Sequence, residues 1–293
     1  MKKYSIIIPH KNCTSLLSKC LNSIPARDDI EAIVVDDNSD NKEEVEEVCK
    51  NVGYDCKIIF SETNLGAGPA RNKGMSIAQG EWVAFCDADD YFIKENFNKV
   101  LSKYASSDAD IVFFDVDCII SATGEKSGLI KEQYSDKVHS KNDAENLCRY
   151  TLQVPWGKLL KRNLVYKYNI VFSDQVVGED AFFSLMSGFY ANKIVIDLTK
   201  AYVYVVHNNS LSSRKFPHEI SELLFDKVIE RNKFKESHSL YKYRVNLFVR
   251  IPGLVKDGFP LIHTFTKVIK NTPIRCMAKD IIGMFRLMLR RLL

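Results

Sequence analysis

Residues 80–90 read GEWVAFCDADD, and this stretch decides the fold. Gly80 is a stop signal, the apolar run Trp82, Val83, Ala84, Phe85 and Cys86 follows, and three aspartates then fall within four positions. A run with no polar face predicts a strand covered on both sides, as in parallel sheets flanked by helices. Four more runs share the pattern: YSIII at 4–8, IEAIVV at 30–35, DCKIIF at 55–60 and IVFFDV at 111–116. Between them Leu16, Leu17, Cys20, Leu21 and Ile24 recur at helical spacing, as do Val45, Val48, Cys49 and Val52. Gly68-Pro69 reads as a cap with Pro at the first helical position, Gly80 ends that helix, and a further helix is expected over about 94–105. Strand and helix alternate, so the expected class is α/β, a mixed, mainly parallel Rossmann-like sheet between helices.

The 293 residues are 46% hydrophobic and 27% charged, which excludes a disordered, collagenous or coiled-coil chain. The net charge of +4 is unevenly spread. Residues 1–206 hold 24 basic and 30 acidic side chains, whereas 207–293 hold 17 and 7, so the C-terminal end is built to face something anionic. The net charge is too small to mark a nucleic-acid binder, which would need basic residues interleaved with aromatics on a readable surface, and no nucleic-acid partner is expected. Eight cysteines show neither Cys-x-x-Cys pairs nor Cys/His metal spacing and read as reduced thiols. The apolar run after Met1 is too short for a signal-peptide core, and no stretch approaches the roughly 20 apolar residues of a spanning helix. A cytoplasmic protein is expected.

In open α/β sheets ligands collect at the carboxyl ends of the strands. There the sequence places Pro9-His10, then Asp36-Asp37-Asn38-Ser39-Asp40, then Asn64 to Asn72 with Gly66, Gly68 and Arg71, then Asp87-Ala88-Asp89-Asp90. Adjacent carboxylates repel unless a cation or hydrogen bonds compensate, and Asp-x-Asp at a strand end suits Mg²⁺ or Mn²⁺ shared with substrate phosphates. The competing reading is a cap for the following helix. Gly66 and Gly68 would let a phosphate approach a helix start. Arg71 reads as a diphosphate clamp, an orienting partner for the carboxylates, or a solvated helix residue. No Gly-x-Gly-x-x-Gly follows the first strand and no Gly-Lys-Ser/Thr loop occurs, which disfavours nicotinamide and P-loop chemistry.

With SIIIPHKN (5–12), IVVDDNSD (33–40), NLGAGPARNKG (64–74), GEWVAFCDADD (80–90), PWGKLLKRNLV (155–165) and VGEDAFF (177–183) in this order, the chain resembles the family 2 inverting glycosyltransferases of the GT-A fold, enzymes that build bacterial surface polysaccharides. The resemblance covers about 4–213. It implies a nucleotide diphosphate sugar donor, UDP-linked, with Asp37 (less so Asp36) on the base and Pro9 lining that pocket. It also implies Asp87 at the ribose and metal shell, Asp89 as the metal ligand, Arg71 as the family's arginine, and Mn²⁺ or Mg²⁺ as cofactor. His10 stands where Tyr or Val is more familiar, which bears on base stacking. Inversion needs one general base on the acceptor hydroxyl, and the Glu179-Asp180 pair implies Asp180 in that role with Glu179 beside the acceptor. Both residues also suit a helix first turn. Trp156 reads as core or, preferably, as an acceptor platform. His207, followed by Ser210 and Ser212, resembles the His-x-x-Ser-x-Ser closing the catalytic domain of many relatives; it reads as structural, as a third metal ligand or as a diphosphate donor.

The expected division is a catalytic domain over 1–213 and a basic helical region over 214–293. Near its end, Ile274, Met277, Ile281, Phe285, Met288 and Leu292 form one apolar stripe, with Arg275, Lys279, Arg286 and Arg290 opposite. Such a helix lies on an anionic membrane or packs on protein. Membrane contact is preferred, because a lipid-linked saccharide acceptor is expected; the protein would then be peripheral on the inner face of the cytoplasmic membrane. Alternatives of other classes are a sugar nucleotidyltransferase, which should carry a glycine-rich basic loop where this chain has PHKNC, and a non-catalytic partner subunit.

Overall fold

A computed structural model describes residues 1–127, 134–175, 178–207 and 217–292. The chain divides into two compact units, Met1–Ser210 and Leu211–Leu293. The expected boundary at 213/214 falls within 208–216, outside the described residues, as do Ser210 and Ser212.

In the first unit β1 (Tyr4–His10), α1 (Thr14–Asn22), β2 (Ile30–Asp36), α2 (Lys42–Lys50), β3 (Asp55–Phe60), α3 (Ala67–Ile77) and β4 (Trp82–Phe85) alternate as the apolar runs require. β1 lies between β2 and β4, parallel to both, and β3 extends the sheet beyond β2. Every residue of β2 and β4 is buried, which is why these strands carry no polar face. The chain goes from β1 to β2 on one side and returns with β4 on the other. That reversal opens a crevice at the carboxyl ends of β1 and β4, where His10 and Asp87 emerge.

β5 (Tyr91–Phe92), α4 (Lys94–Tyr104), β6 (Ile111–Ile120), α5 (Asp136–Val138), α6 (Ala144–Thr151), β7 (Lys158–Lys161), α7 (Arg162–Lys167), α8 (Glu179–Tyr190) and β8 (Ile194–Val206) complete the unit. The strand order is β3-β2-β1-β4-β7-β6-β8-β5, with β7 antiparallel to β4 and β6, and β5 antiparallel to β8. The sheet is therefore mixed and mainly parallel, as expected. β5 and β7 are too short to show a period. β8 begins well before the run YVYVV because Leu198 and Thr199 interrupt it; the β6–β8 register shifts there, and the Thr199 amide donates to Asp197 Oδ1 at 2.8 Å.

The second unit comprises α9 (His218–Ser237), α10 (Ile251–Lys256), α11 (Leu261–Lys270) and α12 (Ile274–Leu292), packed around Phe225, Val228, Leu247, Phe248 and Val268. The single stripe expected on α12 is corrected. Met277 and Ile281, joined by Met284, pack on this small core, whereas Ile274 and Phe285 are exposed. The side chains of Met288, Arg290, Arg291 and Leu292 lie outside the description. The exposed face instead runs through Ile274, Ala278, Ile282, Phe285 and Leu289, at steps of 4, 4, 3 and 4, with Arg275, Lys279 and Arg286 along its edge. Leu261, Ile262, Phe265 and Ile269 form a similar exposed face on α11. Among the described residues no helix is long and apolar enough to cross a membrane.

Candidate active site

The rim is organised first by its own carboxylates. Asp37, just past β2, accepts the Leu65 amide on Oδ1 at 2.6 Å and the Gly66 amide on Oδ2 at 2.9 Å, and so fastens the glycine-rich loop beside the end of β1. Its neighbour Asp36 is fully buried. Asp36 Oδ2 lies 2.9 Å from His10 Nδ1, and Oδ1 accepts the Ser39 amide at 2.9 Å. His10 Nε2 accepts the Cys13 amide at 3.2 Å, so Nδ1 carries the proton and donates to Asp36. Burial acts on Asp36 first, but the Ser39 and His10 hydrogen bonds outweigh it and hold its carboxyl below the usual range. His10 is thus interior structure and offers no face to a base. Pro9 pairs with Val35 and His10 with Asp36 at the ends of β1 and β2.

The start of α3 carries the central contact. Gly66, at φ +88°, makes the turn a side chain would strain. Gly68 serves a different purpose from the phosphate approach expected of it: a Cβ there would stand 2.3 Å from Ser173 O and 2.8 Å from Glu179 Cγ. Its bareness lets the 171–175 segment and the start of α8 close onto α3. Asn72 secures that segment twice, Nδ2 donating to Phe172 O at 2.8 Å and Oδ1 accepting the Phe172 amide at 2.9 Å. Arg71, buried, then donates from NH2 to Asp87 Oδ1 at 2.6 Å and from NH1 to Glu179 Oε1 at 2.9 Å. Arg71 is therefore not a solvated helix residue, and it holds Asp87 and Glu179 together. Burial disfavours its charge, but Asp87, Glu179 and Asp180 outweigh that and keep the guanidinium protonated.

Gly178, in the left-handed region at φ +76°, opens α8, so Glu179 and Asp180 form its first turn. Glu179 is therefore the counter-ion of Arg71. Asp180 is half-buried, and its carboxyl is pushed up to about 7 by desolvation first and Glu179 next, with Arg71 opposing and Asp87 adding. A carboxyl group that titrates near neutrality is suited to take a proton.

The third group is Asp87-Ala88-Asp89-Asp90. Asp90 does not cap α4, whose preceding residue Ile93 makes no side-chain cap. It is buried, accepting Tyr202 OH at 2.6 Å and the Val205 amide at 2.7 Å. Burial, then Asp87 and Asp89, push its carboxyl well above the usual range. These bonds draw the end of β8 onto the acidic loop and bring His207 Nε2 to 3.8 Å from Asp89 Oδ2. His207 Nε2 is buried with no hydrogen-bond partner among the described residues. Desolvation first, then Asp87, raise the Asp89 carboxyl. No group of three or more His, Cys, Asp or Glu among the described residues would hold a metal unaided. A carboxylate and an orphaned imidazole nitrogen facing one another nonetheless fit a divalent cation whose other ligands are phosphate oxygens. Asp87 gives one oxygen to Arg71 and has the other available.

Trp156 departs from expectation. It is 4% exposed and stacked with Tyr134, Tyr202 and Tyr204 at 5.5, 5.2 and 5.5 Å between centroids, so it is core and does not present a sugar platform. Sequence reasoning missed Asn72, Asp90 and Tyr202 as the residues that assemble the rim. Only the acidic run hinted at Asp90.

Fold and rim define a glycosyltransferase, and the chain belongs to the family described as Glycosyl transferase family 2, which it matches over residues 5–168. Its sequence is similar to EpsH of Bacillus subtilis strain 168, which carries a glycosyltransferase name, at 26% identity over 89% of this chain and 74% of EpsH. It is also similar to the poly(ribitol-phosphate) β-N-acetylglucosaminyltransferase TarS of Staphylococcus aureus strain MW2, at 28% identity over 70% of this chain and 35% of TarS. The chain thus spans about a third of that larger relative. The crystal structure of S. aureus TarS 1–349 with UDP-GlcNAc shares the GT-A fold at a TM-score of 0.69 and 23% identity, over 94% of this chain and 83% of the other. The mannosyltransferase PcManGT of Pyrobaculum calidifontis, in complex with GDP-Man and Mn²⁺, shares the fold at a TM-score of 0.58 and 14% identity, covering 96% and 79%.

Proposed function

We propose that this glycosyltransferase moves a sugar with inversion from a UDP-linked donor to a lipid-linked saccharide acceptor in surface polysaccharide biosynthesis, such as capsule or O-antigen, with Mn²⁺ or Mg²⁺. The observation that carries the reading is the Arg71 bridge. One guanidinium joins Asp87, at the acidic loop that follows β4, to Glu179, next to the half-buried Asp180. Asp37 retains acceptor lone pairs for a base beyond those given to the loop amides, and Pro9 flanks the same position. Asp89 and His207, with Asp87 behind them, would hold the metal, which when bound neutralises the departing diphosphate. Asp180 takes the proton of the acceptor hydroxyl on the face opposite the nucleotide. Glu179 acts through Arg71, holding the first turn of α8 in place.

The domain assignment follows the same reading, with catalysis in 1–213 and acceptor-membrane contact in 214–293. The exposed apolar face of α12, edged by Arg275, Lys279 and Arg286, supports peripheral contact with the anionic inner face of the cytoplasmic membrane, where each basic side chain near the surface adds about 1 kcal/mol. α11 carries an exposed apolar face of its own, through Leu261, Ile262, Phe265 and Ile269.

The test is a panel of UDP-, GDP- and dTDP-sugars assayed for donor hydrolysis and transfer with native protein and Asp180→Asn. One donor should be preferred, and kcat/KM should rise with pH through a limb near 7 as Asp180 loses its proton. Asp180→Asn should lower transfer by about 10²–10⁴ and abolish the limb while donor affinity holds. A variant that transfers at the native rate removes Asp180 from the role.

A further inference from the structure

Tyr202, in β8, is fully buried, and its ring is held from two sides. It stacks on Trp156 at 5.2 Å between centroids and meets Phe92, its partner across the β5–β8 pair, edge to face at 5.5 Å. A ring so held presents its hydroxyl in one direction. That hydroxyl donates to Asp90 Oδ2 at 2.6 Å and accepts the Asp87 amide at 3.3 Å. Packing alone does not call for the oxygen, since phenylalanine would fill the same space without a polar atom to satisfy. What the oxygen contributes lies in its two bonds.

Both bonds go to the acidic loop after β4. Along that loop Ala88 and Asp90 are buried, whereas Asp87 and Asp89 keep partial exposure. The Asp90 amide donates to Asp87 O at 3.0 Å, so residues 87–90 close into a single turn. Holding the first and last residues of a four-residue turn also fixes where Asp89, between them, points. On its other oxygen Asp90 accepts the Val205 amide at 2.7 Å, two residues before His207. The acidic turn and the end of β8 are thus tied to one another by one hydroxyl and one carboxyl group. The 3.8 Å between Asp89 Oδ2 and His207 Nε2 follows from that tie.

We propose that Tyr202 is a positioning residue of the metal site: its hydroxyl, bonded at once to the Asp87 amide and the Asp90 carboxyl, holds the acidic turn against β8 so that Asp89 and His207 stand together as ligands for a divalent cation. The inference rests on the reading of Asp89 and His207 as metal ligands. Tyr202 gives no atom to the cation and acts through the turn. Groups that orient metal ligands in this way are worth about 10–100-fold in metal affinity.

The experiment titrates full-length native protein, Tyr202→Phe, Phe92→Leu and Asp89→Ala with Mn²⁺ in the presence of UDP. Free Mn²⁺ is followed by electron paramagnetic resonance, alongside thermal unfolding and the Mn²⁺ dependence of transfer. Tyr202→Phe removes one oxygen and keeps the ring. It should bind Mn²⁺ about tenfold more weakly, recover transfer as Mn²⁺ is raised, and bind UDP alone as native protein does. Phe92→Leu loosens the same aromatic cluster without touching the hydroxyl, so it should melt lower yet bind Mn²⁺ as native protein does. Native Mn²⁺ affinity in Tyr202→Phe overturns the positioning role, and loss of Mn²⁺ binding in Asp89→Ala then shows that the metal site itself stands. Equal weakening in Tyr202→Phe and Phe92→Leu, or a Tyr202→Phe protein that does not fold, makes the hydroxyl a strut of the core and overturns the proposal as well. An Asp89→Ala protein that binds Mn²⁺ like native overturns the metal reading and the role of Tyr202 with it.

Discussion

Arg71→Met tests the contact on which the site is assembled. Methionine keeps an unbranched, flexible chain and removes the charge, leaving Asp87 and Glu179 without their shared cation. Removing one partner of a buried ion pair costs about 3–5 kcal/mol. Here the carboxylates retain 28% and 12% of their side-chain exposure, so water recovers part of the loss and about 2–4 kcal/mol is expected. In a unit of this size each kcal/mol lowers Tm by roughly 2–4 °C, so a fall of roughly 4–16 °C should appear in thermal unfolding followed by circular dichroism. The sign of the pH effect is also fixed. Arg71 opposes the upward push on the Asp180 carboxyl, so its loss raises that group further, and a base that works deprotonated shows its acid limb at higher pH. A double-mutant cycle separates the bridge from bulk destabilisation: in a Glu179→Gln background, Arg71→Met should cost less by about 1–2 kcal/mol, because one of the two stranded carboxylates is gone. Additive stabilities together with an unmoved acid limb would refute the bridge as an energetic link between the acidic loop and α8.

The metal reading is tested by Asp89→Ala, which should abolish transfer and divalent-dependent UDP binding with little change in Tm, since that side chain is 44% exposed; undiminished transfer by native protein in excess chelator sinks it. The membrane reading is tested by Ile282→Asp with Phe285→Asp. Flotation with vesicles of phosphatidylglycerol and phosphatidylcholine should fall sharply relative to native protein, native binding should weaken at high salt, and activity on a short water-soluble acceptor should survive. Native protein that ignores these vesicles shows that the face has another purpose.

What the sequence determined by itself is the local pattern: the apolar runs that become strands, the helices between them, and a rim of Asp37, Arg71, Asp87 and Asp89 after those strands, to which the family resemblance adds Asp180. Burial on both faces of a strand and the 3.6-residue helical period are properties of neighbours in the chain, so they can be read there. Pairing across the fold cannot. Arg71 meets Glu179 across 108 positions, and Asp90 meets Tyr202 across 112, because Gly68 admits α8 and β8 runs parallel beside β6. Those long-range contacts buried Arg71 between two carboxylates, withdrew Asp90 from helix capping, brought His207 toward Asp89 and enclosed Trp156 among tyrosines. The α12 stripe divides for the same reason. An apolar period fixes which side chains share a side of a helix, but only tertiary packing decided that Met277, Ile281 and Met284 take the core while Ile274, Ile282, Phe285 and Leu289 stay outside.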